Sequence, residues 1–216
     1  MKHALLTFAI ALAAAVPAGA HRLDEYLQGA LVSVEKNRVD VEMTLTPGVA
    51  IFPFLIGEID ANGDGIISET EKQAYAVSVL RDLSLAIDGH SLAPHVISSQ
   101  FPAIEEMKEG RGEILLRFDA ELPSGGPRLR LTFDNRHQSR FAAYQVNALV
   151  SRDPAIQIGR QSRNYTQSHY ELEFTQASAQ RSSIGFDSIA AVPEALGVLA
   201  LLLMARFGLA GLRQPD

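Results

Sequence analysis

The chain contains no cysteine. That excludes disulfides, thiol nucleophiles and zinc–thiolate centres, so packing and bound ions must hold the fold together. Basic charge is not in excess either. Lys and Arg number 19 against 25 Asp and Glu, a formal net charge of −6, and the cations are scattered. A nucleic-acid partner needs a positive footprint to offset phosphate, so this balance argues against one. Internal repeats and low-complexity tracts are absent. So are the patterns G-x-S-x-G, H-E-x-x-H, G-x-x-x-x-G-K-[ST] and G-x-G-x-x-G that accompany common enzyme chemistries. The adjacent pair Glu105-Glu106 lies in a polar stretch and reads as a solvated face rather than an acid/base pair. The expectation is a non-enzymatic protein.

What is present is concentrated in residues 60–71, Asp-Ala-Asn-Gly-Asp-Gly-Ile-Ile-Ser-Glu-Thr-Glu. The stretch fits D-x-[DN]-x-[DN]-G-x5-E at every specified position. A hard cation of calcium's size takes about six to eight oxygen ligands, and one tight loop must supply most of them. Asp60, Asn62 and Asp64 fall at alternate positions. Gly65 permits the sharp turn, which needs a positive φ that other residues resist. Ile66 offers its backbone carbonyl, Ser68 a hydroxyl, and Glu71 a closing carboxylate.

This loop resembles the EF-hand, a helix–loop–helix calcium module, and the resemblance extends over roughly residues 48–82. It implies Ca2+ as the bound ion, with Asp60, Asn62, Asp64, Ile66, Ser68 and Glu71 as ligands. Helix formers from Glu69 to Leu85 suit an exiting helix, with Ala74, Val77, Leu80 and Arg81 at 3/4 spacing and Val79 and Leu83 widening the apolar face. Ser68 is placed to cap it, with Glu69 and Glu71 in the first turn near the positive end of the helix dipole. The entering segment, Val49 to Ile59, carries Pro53 and Gly57, which predict an irregular helix. EF-hands usually pair through the residue at loop position 8, here Ile67. With no second loop in the chain, the expected dissociation constant is about 10⁻⁴–10⁻³ M, the range of extracellular modules.

Both ends of the chain are apolar. Lys2, the run Ala4 to Val16, and Ala18-Gly19-Ala20 form a secretory signal over residues 1–20, which predicts export to the periplasm or cell surface with His21 as the mature first residue. Residues 189–212 form a C-terminal hydrophobic helix long enough, at ~20 residues, to span or enter a membrane, with Arg206 and Arg213 near its end. Val192-Pro193-Glu194-Ala195 followed by this helix resembles the PEP-CTERM sorting tail of exported bacterial proteins. In that tail a second proline stands where Ala195 is, and its basic cluster is fuller. A permanent membrane anchor, a sorting signal and a core helix all stay open. Residues 176–188, rich in Ser, Ala and Gln, read as a linker.

Between these ends the sequence alternates at period two. Segments 30–35, 39–46, 83–88, 91–98, 112–122, 127–134, 141–150, 155–159 and 168–175 read as strands, with turns at Lys36-Asn37-Arg38, Asp88-Gly89, Pro123-Ser124-Gly125-Gly126 and Asp153-Pro154. Ile114, Leu116 and Phe118 share one side, as do Leu129, Leu131 and Phe133. Many short, evenly spaced strands predict a mainly β fold, an immunoglobulin-like β-sandwich over residues 21–175 with the helix–loop–helix inserted. A looser α+β arrangement is the rival.

One alternative function is open. A mature N-terminal histidine offers an amine and a ring nitrogen together, a grip suited to Cu(II) when a second histidine is near. His21 resembles the start of periplasmic β-sandwich copper carriers, with His90, His95, His137 and His169 as candidate partners. The segment Phe133-Asp134-Asn135-Arg136-His137, following a strong strand, reads as an ordinary polar turn or a functional loop.

Overall fold

The computed structural model describes residues 24–123 and 126–177. The expected signal, His21, most of the expected linker and the segment 189–212 expected to form a hydrophobic helix lie outside them. Among the described residues no helix is long and apolar enough to cross a membrane.

The protein is mainly β, with two five-stranded sheets among the described residues. The strands are β1 (Tyr26–Val34), β2 (Arg38–Pro47), β3 (Leu83–Ile87), β4 (His90–Ser91), β5 (His95–Gln100), β6 (Ile114–Glu121), β7 (Arg128–Asn135), β8 (Ala142–Ala148), β9 (Ile156–Arg163) and β10 (His169–Gln176). One sheet runs β5-β6-β2-β1-β8 and the other β4-β3-β7-β10-β9. All pairings are antiparallel except β1 with β8.

Alternation dictates which faces meet. Val32, Val34, Val39, Val41 and Leu45 of one hairpin, with Ile114, Leu116 and Phe118 of β6, point inward. Leu129, Leu131 and Phe133 of β7, and Tyr170, Leu172 and Phe174 of β10, do the same from the other sheet. They form one apolar core. A period of two allows no other register without exposing the whole set.

Among the described residues three helices interrupt the strands: α1 (Phe52–Ile59), α2 (Glu69–Arg81) and α3 (Ile104–Lys108). Four expectations need correction. The entering segment is a regular helix, because Pro53 sits in the first turn, where its missing N–H is no loss, and Phe52, Leu55 and Ile59 bury one face. The exiting helix stops at Arg81 rather than Leu85, since Leu83–Ile87 is drawn into the sheet against β7. Its buried face is Glu71, Tyr75, Ala76 and Val79; of the positions the spacing gave, Val79 is buried, Leu80 and Leu83 pack partly against the core, and Ala74 and Arg81 are exposed. The stretch 91–98 is two strands, broken at Leu92-Ala93-Pro94, where proline cannot donate to a ladder. Glu105 and Glu106 lie on α3, which buries Met107 instead.

The strands define two ends of the body. At one, β1 begins at Tyr26 opposite Pro47 and β3 begins at Leu83 opposite Asn135. Residues 48–82, the helix–loop–helix, leave and return there. At the other, the β1–β2 turn meets the β8–β9 loop and the end of β10. About 26 Å of strand separates Tyr26 from Val34, at ~3.3 Å per residue.

Candidate functional site

The loop between α1 and α2 is built from its own polar side chains. Asp60 Oδ1 accepts from the Gly63 amide and Oδ2 from the Gly65 amide, both at 2.9 Å. Asn62 Oδ1 accepts from the Asp64 amide at 2.9 Å, and Asp64 Oδ1 from the Ile66 amide at 2.8 Å. Gly63 and Gly65 have φ of +70° and +80°, the left-handed region that a Cβ would strain. The tight turn therefore needs glycine at both positions.

Glu71 joins the two ends of the loop. Its Oε1 accepts from the Ala61 and Asn62 amides at 2.9 and 3.3 Å, and its Oε2 accepts from Ser68 N and Ser68 Oγ at 2.9 and 2.7 Å. Ser68 is the N-cap, and with Glu71 at the third helical position it completes a capping box. The Ser68 hydroxyl, and then its amide, hold the Glu71 carboxyl below the usual carboxylate range.

Asp60 and Glu71 are buried at 7% and 9% exposure, whereas Asn62 and Asp64 lie open. Among the described residues, no Lys, Arg or His pairs with Asp60, Asp64 or Glu71. Their charge is offset by amide and hydroxyl donors alone. No group of three or more His, Asp or Glu among the described residues converges as a metal cage. The carboxylates are instead turned onto the loop's own N–H groups. The donor set itself is all oxygen: three carboxylates, one carboxamide, one hydroxyl and the Ile66 carbonyl. That set suits a hard divalent cation.

Ile66 is 69% exposed, while Ile67 packs against the core. The side chain at position 8 is thus used by this chain's own body.

A second polar assembly lies where α2 meets the sheets. Tyr26 Oη and Tyr75 Oη are 2.7 Å apart, Tyr75 Oη is 3.3 Å from His137 Nε2, and His137 Nδ1 is 2.8 Å from Asp82 Oδ2. A neutral imidazole satisfies both neighbours in one arrangement. Nδ1–H donates to Asp82, Nε2 accepts from Tyr75, and Tyr75 accepts from Tyr26. Gln28 donates from Nε2 to the His137 carbonyl and accepts from Asn135 Nδ2, both at 2.9 Å. Asn135 Oδ1 accepts from the His137 amide at 2.9 Å, and Tyr144 Oη donates to the His137 carbonyl at 3.0 Å. Tyr26, Gln28, Tyr75, Asn135 and His137 are all buried. Burial raises the Tyr26 and Tyr75 hydroxyls well above their ordinary values. It lowers His137, an effect that Asp82 opposes.

This assembly corrects the reading of 133–137 as an ordinary turn. Asn135 and His137 are buried at its centre. The sequence signal was faint: tyrosines at 26 and 75 are scattered polar-tipped aromatics until the fold brings them together. Of the candidate copper partners, His137 has both ring nitrogens engaged and His169 Nδ1 lies 2.8 Å from Asp134 Oδ1. His90 and His95 are exposed on β4 and β5. His21 lies outside the described residues.

No protein-family model, curated protein or solved structure matches this chain.

Proposed function

We propose that this is an exported, membrane-tethered, non-enzymatic protein that binds Ca2+ in the loop 60–71, where the ion has a structural and partner-presenting role. Asp60, Asn62, Asp64, the Ile66 carbonyl, Ser68 and Glu71 would hold it. The observation that carries this reading is that the loop's three carboxylates, two of them buried, have no cationic partner among the described residues. A bound divalent cation would supply positive charge to carboxylates that otherwise meet only amide and hydroxyl donors. The helix on each side and the positive φ at Gly65 support an EF-hand-like module. Short antiparallel strands in two sheets support an immunoglobulin-like body around it.

The donor count points to weak binding, about 10⁻⁴–10⁻³ M. Calcium outside the cytoplasm is plentiful, so such a site stays filled and the ion is a fixture rather than a signal. Calorimetric titration of the chain with calcium, with parallel melting curves, tests this. One site is expected. At a tenfold excess over the dissociation constant the fold gains about 1.4 kcal/mol, and Asp60→Ala with Glu71→Ala abolishes that gain. Equal melting curves with and without calcium would overturn the proposal.

A further inference from the structure

We propose that His137 is an acid-sensitive latch: the helix–loop–helix is fastened to the sheets while this imidazole is neutral, and protonation releases α2 from the body. The fastening is concentrated in one place. Among the described residues, every side-chain hydrogen bond between residues 48–82 and the rest of the chain ends on Tyr26, His137 or Gln138. Tyr75 of α2 bonds Tyr26 and His137, Asp82 at the end of α2 bonds His137, and Glu58 of α1 accepts from Gln138. The one ion pair across this boundary among the described residues is Asp82 with His137. Backbone bonds join the insert to the body at its two ends, Gly48 N to Glu25 O and Arg136 N to Asp82 O. Its other contacts are apolar, through residues such as Leu55, Ile59 and Val79, and apolar packing has no direction.

The fastening is complete only with a neutral ring. Protons on Tyr26 Oη, Tyr75 Oη and His137 Nδ1 meet an equal set of acceptors: Tyr75 Oη, His137 Nε2 and Asp82 Oδ2. A proton on Nε2 adds a donor and removes an acceptor. Nε2–H then donates to Tyr75, Tyr75 to Tyr26, and the Tyr26 proton has no acceptor left. Tyr26 and Tyr75 are 0% and 1% exposed, so water does not take that proton, and a buried donor without a partner is costly. The groups facing the ring are Tyr75 and Asp82 from α2, Tyr26 from β1, Glu58 from α1 and, on the His137 carbonyl, Tyr144 from β8. Burial disfavours the cation and outweighs Asp82 and Glu58, which favour it. With α2 released, the ring meets water and titrates at about 6.5. Release therefore takes up one proton. Its equilibrium constant grows by up to about tenfold per pH unit as pH falls below that value, until the lower folded value is reached. This coupling needs no ion in the loop.

Amide hydrogen exchange of the full chain between about pH 7.5 and about pH 5, corrected for the intrinsic pH dependence of exchange, tests the latch. We expect the amides of α2 to open while those of β2 and β6 stay closed. That opening is expected to rise by up to about tenfold per pH unit below about 6.5. In His137→Gln it is expected to stay flat, because the Gln amide offers a donor and an acceptor, as neutral imidazole does, without titrating. Helix α2 protected as strongly as β2 and β6 overturns the proposal. So does a separate opening that ignores pH, or one with the same pH dependence in His137→Gln. Imidazole nitrogen chemical shifts of the parent chain give a second reading that needs no variant. At neutral pH they are expected to show Nδ1 protonated and Nε2 bare. A ring that carries its proton on Nε2, or is already cationic there, overturns the proposal as well.

Discussion

Removing the Tyr75 hydroxyl isolates the contribution of the buried chain from Tyr26 to Asp82. Tyr75 is 1% exposed, and its oxygen sits between Tyr26 Oη at 2.7 Å and His137 Nε2 at 3.3 Å. Tyr75→Phe keeps the ring, and with it the edge-on contacts to Phe101 and His137 at 5.8 Å. It orphans one buried donor and one buried acceptor. Each orphan costs about 1–3 kcal/mol, and the long bond to His137 falls at the low end, so the sum is about 2–4 kcal/mol. Adding Tyr26→Phe removes the orphaned donor, because deleting both partners of a buried pair is far cheaper than deleting one. The double variant is therefore less destabilised than the sum of the singles, with a coupling of about 0.5–3 kcal/mol. Urea unfolding followed by circular dichroism measures all four chains. A Tyr75→Phe chain within about 0.5 kcal/mol of the parent, the range of ordinary surface changes, would refute the reasoning, as would strict additivity.

Three further outcomes follow from the geometry. Burial lowers His137, so the unfolded chain takes up a proton that the folded one resists. The His137 contribution is complete above the unfolded value of about 6.5 and is lost as pH falls below it. His169, raised chiefly by its bond to Asp134, has the opposite sign: its contribution is present below about 6.5 and is lost as pH rises through the folded value. Unfolding titrations of His137→Gln and His169→Gln separate the two. Gly112→Ala puts a Cβ 2.7 Å from the Met107 amide nitrogen and 2.8 Å from Pro102 Cγ, whereas at Gly126 nothing lies within 4 Å. Melting of the first variant falls below that of the second. Ser68→Ala removes the N-cap of α2 and costs about 0.5–2 kcal/mol, and it lets the Glu71 carboxyl rise toward its ordinary range, which carboxyl chemical shifts report.

Period-two alternation made the strands legible because each sheet buries one face, and Leu129, Leu131 and Phe133 lie inside as their spacing requires. Ser68 was legible as a cap because capping is a local hydrogen bond. What the spacing of α2 failed to show is which stripe it buries. Ala74 and Arg81 are exposed, and Tyr75 is buried because its hydroxyl finds partners from β1 and from the segment after β7. Those partners lie 49 and 62 residues away in sequence. A polar group's tolerance of burial depends on partners that only the tertiary fold supplies, so local periodicity misassigned it. Pro53 misled for a related reason: proline breaks a helix in its interior, and only the observed boundary at Phe52 puts it in the harmless first turn.

The buried chain also limits what an ion in the loop does. Tyr75 lies one helical turn beyond Glu71, and Asp82, the C-cap of α2, bonds His137. Ile67 anchors the loop's far side in the core. Helix α2 is thus fixed at its start, middle and end. Swinging it outward would strand the buried Tyr26 and His137 partners, at about 1–3 kcal/mol each, more than the roughly 1.4 kcal/mol that a tenfold excess of a weak ligand supplies. An ion in this loop therefore tightens it without opening a groove. Calcium is expected to move the amide resonances of residues 60–68 and leave the His137 ring resonances where they are. Large shifts of that ring on calcium addition would mean that α2 moves, and the site would then be a switch rather than a fixture.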